Sequence, residues 1–101
     1  MGRVRQGDRR TVMIRIRFTP FFGERIGGIG SAEVDASQVG SALRALTDRY
    51  PELARLVWSS DGLLNPVMAV FLNNRQLRRD EMDTALRSGD QIDIIPFISG
   101  G

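Results

Sequence analysis

Residues 87–101 read RSGDQIDIIPFISGG, and the fold turns on how this stretch divides. Ser88, Gly89 and Asp90 are turn formers. From Gln91 onward, Ile92 and Ile94 alternate with Gln91 and Asp93, the period of two that marks a strand with one buried face. Pro96 follows, and the stretch runs out in Gly100 and Gly101. A glycine pair costs more backbone entropy to order than any other and packs nothing in return. The last residues therefore read either as a fraying end or as a working one, a narrow arm over 98–101 that carries the carboxylate of Gly101.

Working outward, MIRIRF at 13–18 predicts the first strand. Ile14, Ile16 and Phe18 share one face and Arg15 and Arg17 the other. The following TPFFGERIGGIGS holds Pro20, Gly23, Gly27, Gly28 and Gly30, and predicts a loop with a turn. SAEVDA at 31–36 predicts a second strand, Ala32 and Val34 inward. Val39, Ala42, Leu43, Leu46 and Tyr50 then recur at helical spacing, so a helix is expected over 38–50, capped by Asp35, Ser37 or Gln38 and stopped by Pro51. PELARLVW predicts a second short helical segment that covers the core with Leu53, Leu56, Val57 and Trp58.

SSDGLLNP reads as a turn-rich connector. VMAVFLNNRQL predicts a strand entering a tight turn at Asn73–Asn74, since asparagine tolerates the positive φ such turns need. RRDEMDTAL has no sustained period and is expected to be loop with one helical turn.

Composition bounds the function. At 101 residues, 42% hydrophobic and 26% charged, the chain fits one modest domain with no room for a large cofactor cavity. Cysteine and histidine are absent, which excludes disulfides, thiolate or imidazole metal sites, a cysteine nucleophile and a Ser-His-Asp arrangement. All 14 basic residues are arginine, so Schiff-base chemistry and a lysine acceptor are excluded too. No apolar run reaches the roughly 18–20 residues needed to span a bilayer, and MGRVRQGDRR is not a secretory signal, so a cytoplasmic protein is expected. The net charge of +2 makes nucleic acid an unfavoured partner. Arg3, Arg5, Arg9 and Arg10 are read as part of a disordered, solvated leader over 1–12.

Alternating strands bury one side only, so a helix must cover one face of the sheet. If the first and last strands lie side by side in the middle, they run parallel and the helix supplies the crossover. The expected architecture is thus α+β, a β-grasp domain over 13–97 with a C-terminal tail at 98–101.

LRSGDQIDIIPFISGG resembles the C-terminal signature of the MoaD/ThiS family of ubiquitin-like sulfur carriers, a leucine and a Gly-Asp turn before an apolar strand, a proline and Gly-Gly. VGSALRALTDRYPELARLV is similar to that family's helix and its Tyr-Pro exit, and VMAVFLNNRQL to its asparagine-led turn, so the resemblance covers 13–101. It implies a non-catalytic protein co-substrate. An E1-like enzyme would use ATP to adenylate the Gly101 carboxylate, a sulfur donor would convert it to a thiocarboxylate, and a sulfur-accepting enzyme would consume it: a cysteine-synthase-like enzyme, the large subunit of molybdopterin synthase or another. The carrier would hold no cofactor and no metal.

On that reading Gly100 and Gly101 are bare because a Cβ would crowd the carboxyl carbon. Residues 98–101 would reach roughly 13 Å into a channel. Phe97, Ile98 and Ser99 would anchor the base of the tail on a partner. If Met68, Val70 and Leu72 point inward, Val67, Ala69, Phe71 and Ile95 form an outward apolar patch, bordered by Arg15 and Arg17. The sequence departs from the molybdopterin-synthase branch after the first strand, where Gly23 precedes Glu24 and a Gly27-Gly28 pair follows. Three functions remain open: a carrier of the general or cysteine type, the small subunit of molybdopterin synthase, and a ubiquitin-like modifier or interaction module.

Overall fold

The structure, a computed structural model, describes residues 12–96. Within them five strands form one mixed sheet in the order β2-β1-β5-β3-β4, with β1 at Met13–Phe18, β2 at Ser31–Asp35, β3 at Met68–Leu72, β4 at Arg75–Leu77 and β5 at Gln91–Pro96. β1 and β5 are parallel neighbours at the centre, Ile16 opposite Ile92 and Phe18 opposite Ile94. The other pairings, β1 with β2, β3 with β5 and β3 with β4, are antiparallel. This is the β-grasp arrangement expected from the alternation of the first and last strands. β4 was not expected: three residues are too few to show a period, and its pairing follows from the turn before it.

That turn is Asn73–Asn74, both with positive φ, 49° and 73°. Two successive left-handed residues give the twist that lets β3 fold straight back into β4. Asn73 also ties the hairpin to the start of β5: its Nδ2 donates to Asp90 Oδ1 at 3.0 Å and its Oδ1 accepts from the Gln91 amide at 3.0 Å. The Ser88-Gly89-Asp90 turn enters β5 as read from sequence. Gly89 sits at φ +93°, costly for any side chain, while the Arg87 amide donates to Asp90 Oδ2.

One helix covers the inner face. α2, Val39–Arg49, buries Val39, Ala42, Leu43 and Leu46, as its spacing predicts, and Thr47, which was not expected; Tyr50, the fifth expected position, is its C-cap residue and is half-buried against the core. Pro51 ends it and opens a 3₁₀ turn, Pro51–Leu53, that leads into the short α3, Ala54–Val57. Leu53 and Val57 are buried and Leu56 and Trp58 pack on the core margin.

The start of α2 differs from expectation. Gln38 is its N-cap residue, and no side chain caps it. The backbone of the 82–84 stretch does so instead: the Val39 amide donates to the Thr84 carbonyl at 3.0 Å and the Gly40 amide to the Met82 carbonyl at 2.7 Å. Residues 78–86, read as loop with one helical turn, do form a 3₁₀ turn at Arg79–Glu81. The irregular segment beyond that turn thus satisfies donors that every helix leaves orphaned.

A second difference lies after β1. Pro20 does not break structure there; at the first helical position, where its missing N–H costs nothing, it starts α1, Pro20–Gly23. A 3₁₀ turn, Glu24–Ile26, completes the bend, and Phe22 is driven into the core at 1% exposure. The bend is possible because Gly23 has no side chain: a Cβ there would lie 2.4 Å from the carbonyl oxygen of Ile29.

Two contrasts test this packing in urea unfolding. Gly23→Ala is expected to lose about 2–3 kcal/mol, since the obstruction is backbone and cannot swing aside, while Gly30→Ala, whose Cβ would meet nothing within 4 Å, stays within about 0.5. Ile94 is 1% exposed and Ile95 39%, so Ile94→Ala is expected to lose about 2–4 kcal/mol and Ile95→Ala less than about 1. Equal midpoints within either pair would contradict the packing described.

Candidate functional site

β5 is paired with β1 over Gln91–Ile94 and with β3 over Ile92–Pro96, and it ends at Pro96, opposite Met68. Pro96 has no N–H to pair, which suits the last position of a strand. Phe97, Ile98, Ser99, Gly100 and Gly101, the tail and anchor residues expected from sequence, lie outside the described residues, as does the leader through Thr11.

The sheet face turned away from α2 is charged on one side and apolar on the other. On β1, Arg15 pairs with Glu33 at 3.3 Å and Arg17 with Asp93 at 2.8 Å. The hydrogen bond from Arg17 to Asp93, reinforced by their opposite charges, raises the guanidinium pKa above its ordinary value. Asp93 stands opposite Phe71, so the charged row runs directly into the apolar one.

Beyond it lie Ile95, 39% exposed, and Val67, 47% exposed. Met68 and Val70 are buried in the core, as the inward assignment of β3 requires. Ala69 corrects one expectation: it is only 3% exposed, yet it stands outside the main core cluster. It faces the outer side opposite Ile95, and its one-carbon side chain is covered by larger neighbours. The outward patch is therefore Val67 and Ile95, both exposed, with Phe71 half-buried on the same face. Arg17 borders it through the Asp93 row, and Arg15, one pair further along β1 and opposite Gln91, does not.

A groove of about 640 Å³ opens on the helix side, between the first turns of α2 and residues 58–64 and 79–83. Arg44 lies 3.7 Å over the ring of Trp58 and donates to the Gly62 carbonyl at 2.6 Å. Trp58 is anchored by its Nε1, which donates to Thr47 Oγ1 at 3.0 Å. It packs, as read from sequence, and its exposed side also lines this groove. No sequence signal pointed to the groove, because three segments far apart in the chain build it. The nearby loop is ordered by Asp61, whose carboxyl is held below its usual pKa by the Ser59 hydroxyl and the Leu63 amide.

Among the described residues no group of acidic side chains is arranged to hold a metal ion, and no helix is long and apolar enough to cross a membrane. The chemistry open to this face is recognition: an apolar patch with a charged border, beside the point where the chain leaves the sheet.

The sequence profile of the ThiS family matches residues 21–101. A protein of Archaeoglobus fulgidus named as a sulfur carrier is 32% identical over 75 residues, covering 71% of this chain and 85% of its own. Small archaeal modifier protein 3 of Haloferax volcanii is 36% identical over 92 residues, covering 87% of this chain and 98% of its own. Among solved structures, SAMP1 of Haloferax volcanii superposes with a TM-score of 0.78 at 27% identity, over 88% of this chain and 99% of that one. CysO, in its complex with BexX from Amycolatopsis orientalis, has the same fold, with a TM-score of 0.76 at 18% identity over 87% and 99% of the two chains. With its five-stranded β-grasp sheet, its single covering helix and this match across four-fifths of its length, the chain belongs to the ThiS family of ubiquitin-like sulfur carriers.

Proposed function

We propose that the protein carries sulfur on its own C-terminus. The carboxylate of Gly101 is a poor electrophile; adenylation by an E1-like partner with ATP gives a mixed anhydride, and sulfide from a donor displaces AMP to leave a thiocarboxylate. The chain contributes no acid, base or metal to these steps, which fits a sequence without histidine or cysteine. Its contribution is a handle and an arm. The partner grips the patch of Val67, Phe71 and Ile95, and the five residues after Pro96, extending to about 17 Å, carry the carboxyl carbon into the active site. Gly100 and Gly101 leave that carbon open on both faces, and Phe97, Ile98 and Ser99 seat the base of the arm.

The observation that carries the proposal is the placement of the exit. A central strand, paired on both sides over Ile92–Ile94, ends at Pro96 beside an exposed apolar patch, and FISGG follows directly. The thiocarboxylate is then consumed by a sulfur-accepting enzyme of cysteine, molybdopterin or other sulfur-metabolite synthesis.

A second reading is favoured by one observation, the 36% identity to a protein named as a modifier. There the same adenylate is captured by an amine of another protein. Intact mass separates the two. With an E1-like enzyme, ATP and sulfide, the carrier gains about 16 Da as sulfur replaces oxygen, and a chain amidated at its C-terminus gains nothing. Conjugates on other proteins with no such gain would favour the modifier. Phe71→Asp and Ile95→Asp are each expected to raise the KM of the activating enzyme for the carrier about tenfold, roughly 1.4 kcal/mol, with little change in kcat. Unchanged KM in both would remove the patch from the docking surface.

A further inference from the structure

Fourteen cationic side chains in this protein are all arginine, and lysine, cysteine and histidine are absent together. Exposed positions such as Arg15 and Arg17 make only ion pairs that lysine could make as well. Arginine and lysine differ sharply, however, as nucleophiles. A lysine of pKa about 10.4 is a free amine in about one molecule per thousand at neutral pH, whereas guanidinium stays protonated.

The sheet geometry makes that difference matter. Arg17 stands opposite Asp93, three residues before Pro96 and so roughly 10 Å along β5 from the exit. Ser31 is opposite Arg17 on β2, one strand further. The contour length of five residues after Pro96 is about 17 Å, longer than the separation from Pro96 to either position. A tether of this length holds the terminal carbonyl there at millimolar effective concentration or above. The hydroxyls of Thr19 and Ser31 in that zone have no imidazole to activate them.

We infer that the lysine-free surface confines this chain to the role of acyl donor: its activated terminus finds no side-chain acceptor on its own surface or on a second copy. The inference rests on the terminal-acyl chemistry proposed above and extends it. Water, the α-amino group or a partner must then supply the nucleophile, and a chain attached to another protein offers no side-chain amine to receive the next.

The excluded step is an aminolysis. An amine lone pair attacks the terminal carbonyl carbon, the C–N bond forms, the bond to the leaving group breaks with the electron pair departing on that group, and the ammonium proton passes to solvent.

The test needs no activating enzyme. The full chain is prepared as a C-terminal thioester by intein cleavage, held at about pH 8.5 and followed by intact mass, in wild type and in Ser31→Lys, Arg17→Lys and Arg87→Lys. Arg87 lies before the start of β5, at the far end of that strand from Pro96, and is the most distant of the three positions along it. Wild type and Arg87→Lys are expected to hydrolyse to the free acid. Ser31→Lys and Arg17→Lys are expected to give an internal amide about 18 Da lighter than that acid, at least about tenfold above wild type. The α-amino group is common to all four proteins, so differences from wild type isolate the side chain. Wild type forming as much amide as the variants, or both near variants hydrolysing as wild type does, would overturn the inference. Because the thioester is made without ATP or an E1-like enzyme, failure of sulfur loading and failure of this test are separate results.

Discussion

The parallel pairing of β1 with β5 is the constraint on which the rest depends. Two strands from opposite ends of the chain, paired in the same direction at the centre of a sheet, cannot be joined by a hairpin. Everything between them becomes a crossover, and the crossover has to cover the apolar face that their alternation creates. α2 does so with Val39, Ala42, Leu43 and Leu46, each fully buried. The hairpins β1–β2 and β3–β4 then widen the sheet on both flanks. Because β5 is central, it is held by two neighbours from Gln91 to Ile94, and by β3 alone over Ile95 and Pro96, its last two residues.

Much of this was legible in the sequence, for reasons that differ by element. β1 and β5 declared themselves because their inner isoleucines alternate with charged or polar residues, over Ile14–Arg17 in β1 and Gln91–Ile94 in β5. α2 did so because four buried positions repeat at helical spacing, and Asn73–Asn74 because few residues accept two successive positive φ values. What was not legible depended on contacts remote in sequence. The cap of α2 comes from carbonyls some forty residues away, which no local pattern encodes. α1 was hidden by its own glycine and proline, which read as breakers until Gly23 is seen packed against the Ile29 carbonyl.

The candidate site shows the same division. Ile95 and Phe71 were assigned to the outer face by parity alone, and parity held. Ala69 was placed on that face by the same rule, but whether a small residue is exposed depends on the size of its neighbours, and Ile95 is large enough to cover it. Arg15 and Arg17, two residues apart on one strand, looked equivalent. Register separates them, setting Arg17 beside Asp93 and the apolar row and Arg15 beside Gln91 and Glu33.

The backbone cap on α2 also constrains how this family's chains can differ in length. Residues 82–86 run alongside 37–40, with carbonyls of Met82 and Thr84 aimed at the helix start and the Leu86 amide returning to the Ser37 carbonyl. An insertion or deletion there would shift those acceptors out of line, although the segment contains little regular structure and would look permissive in an alignment. In this domain the segment that looks most like a spacer is the one whose residue count matters most.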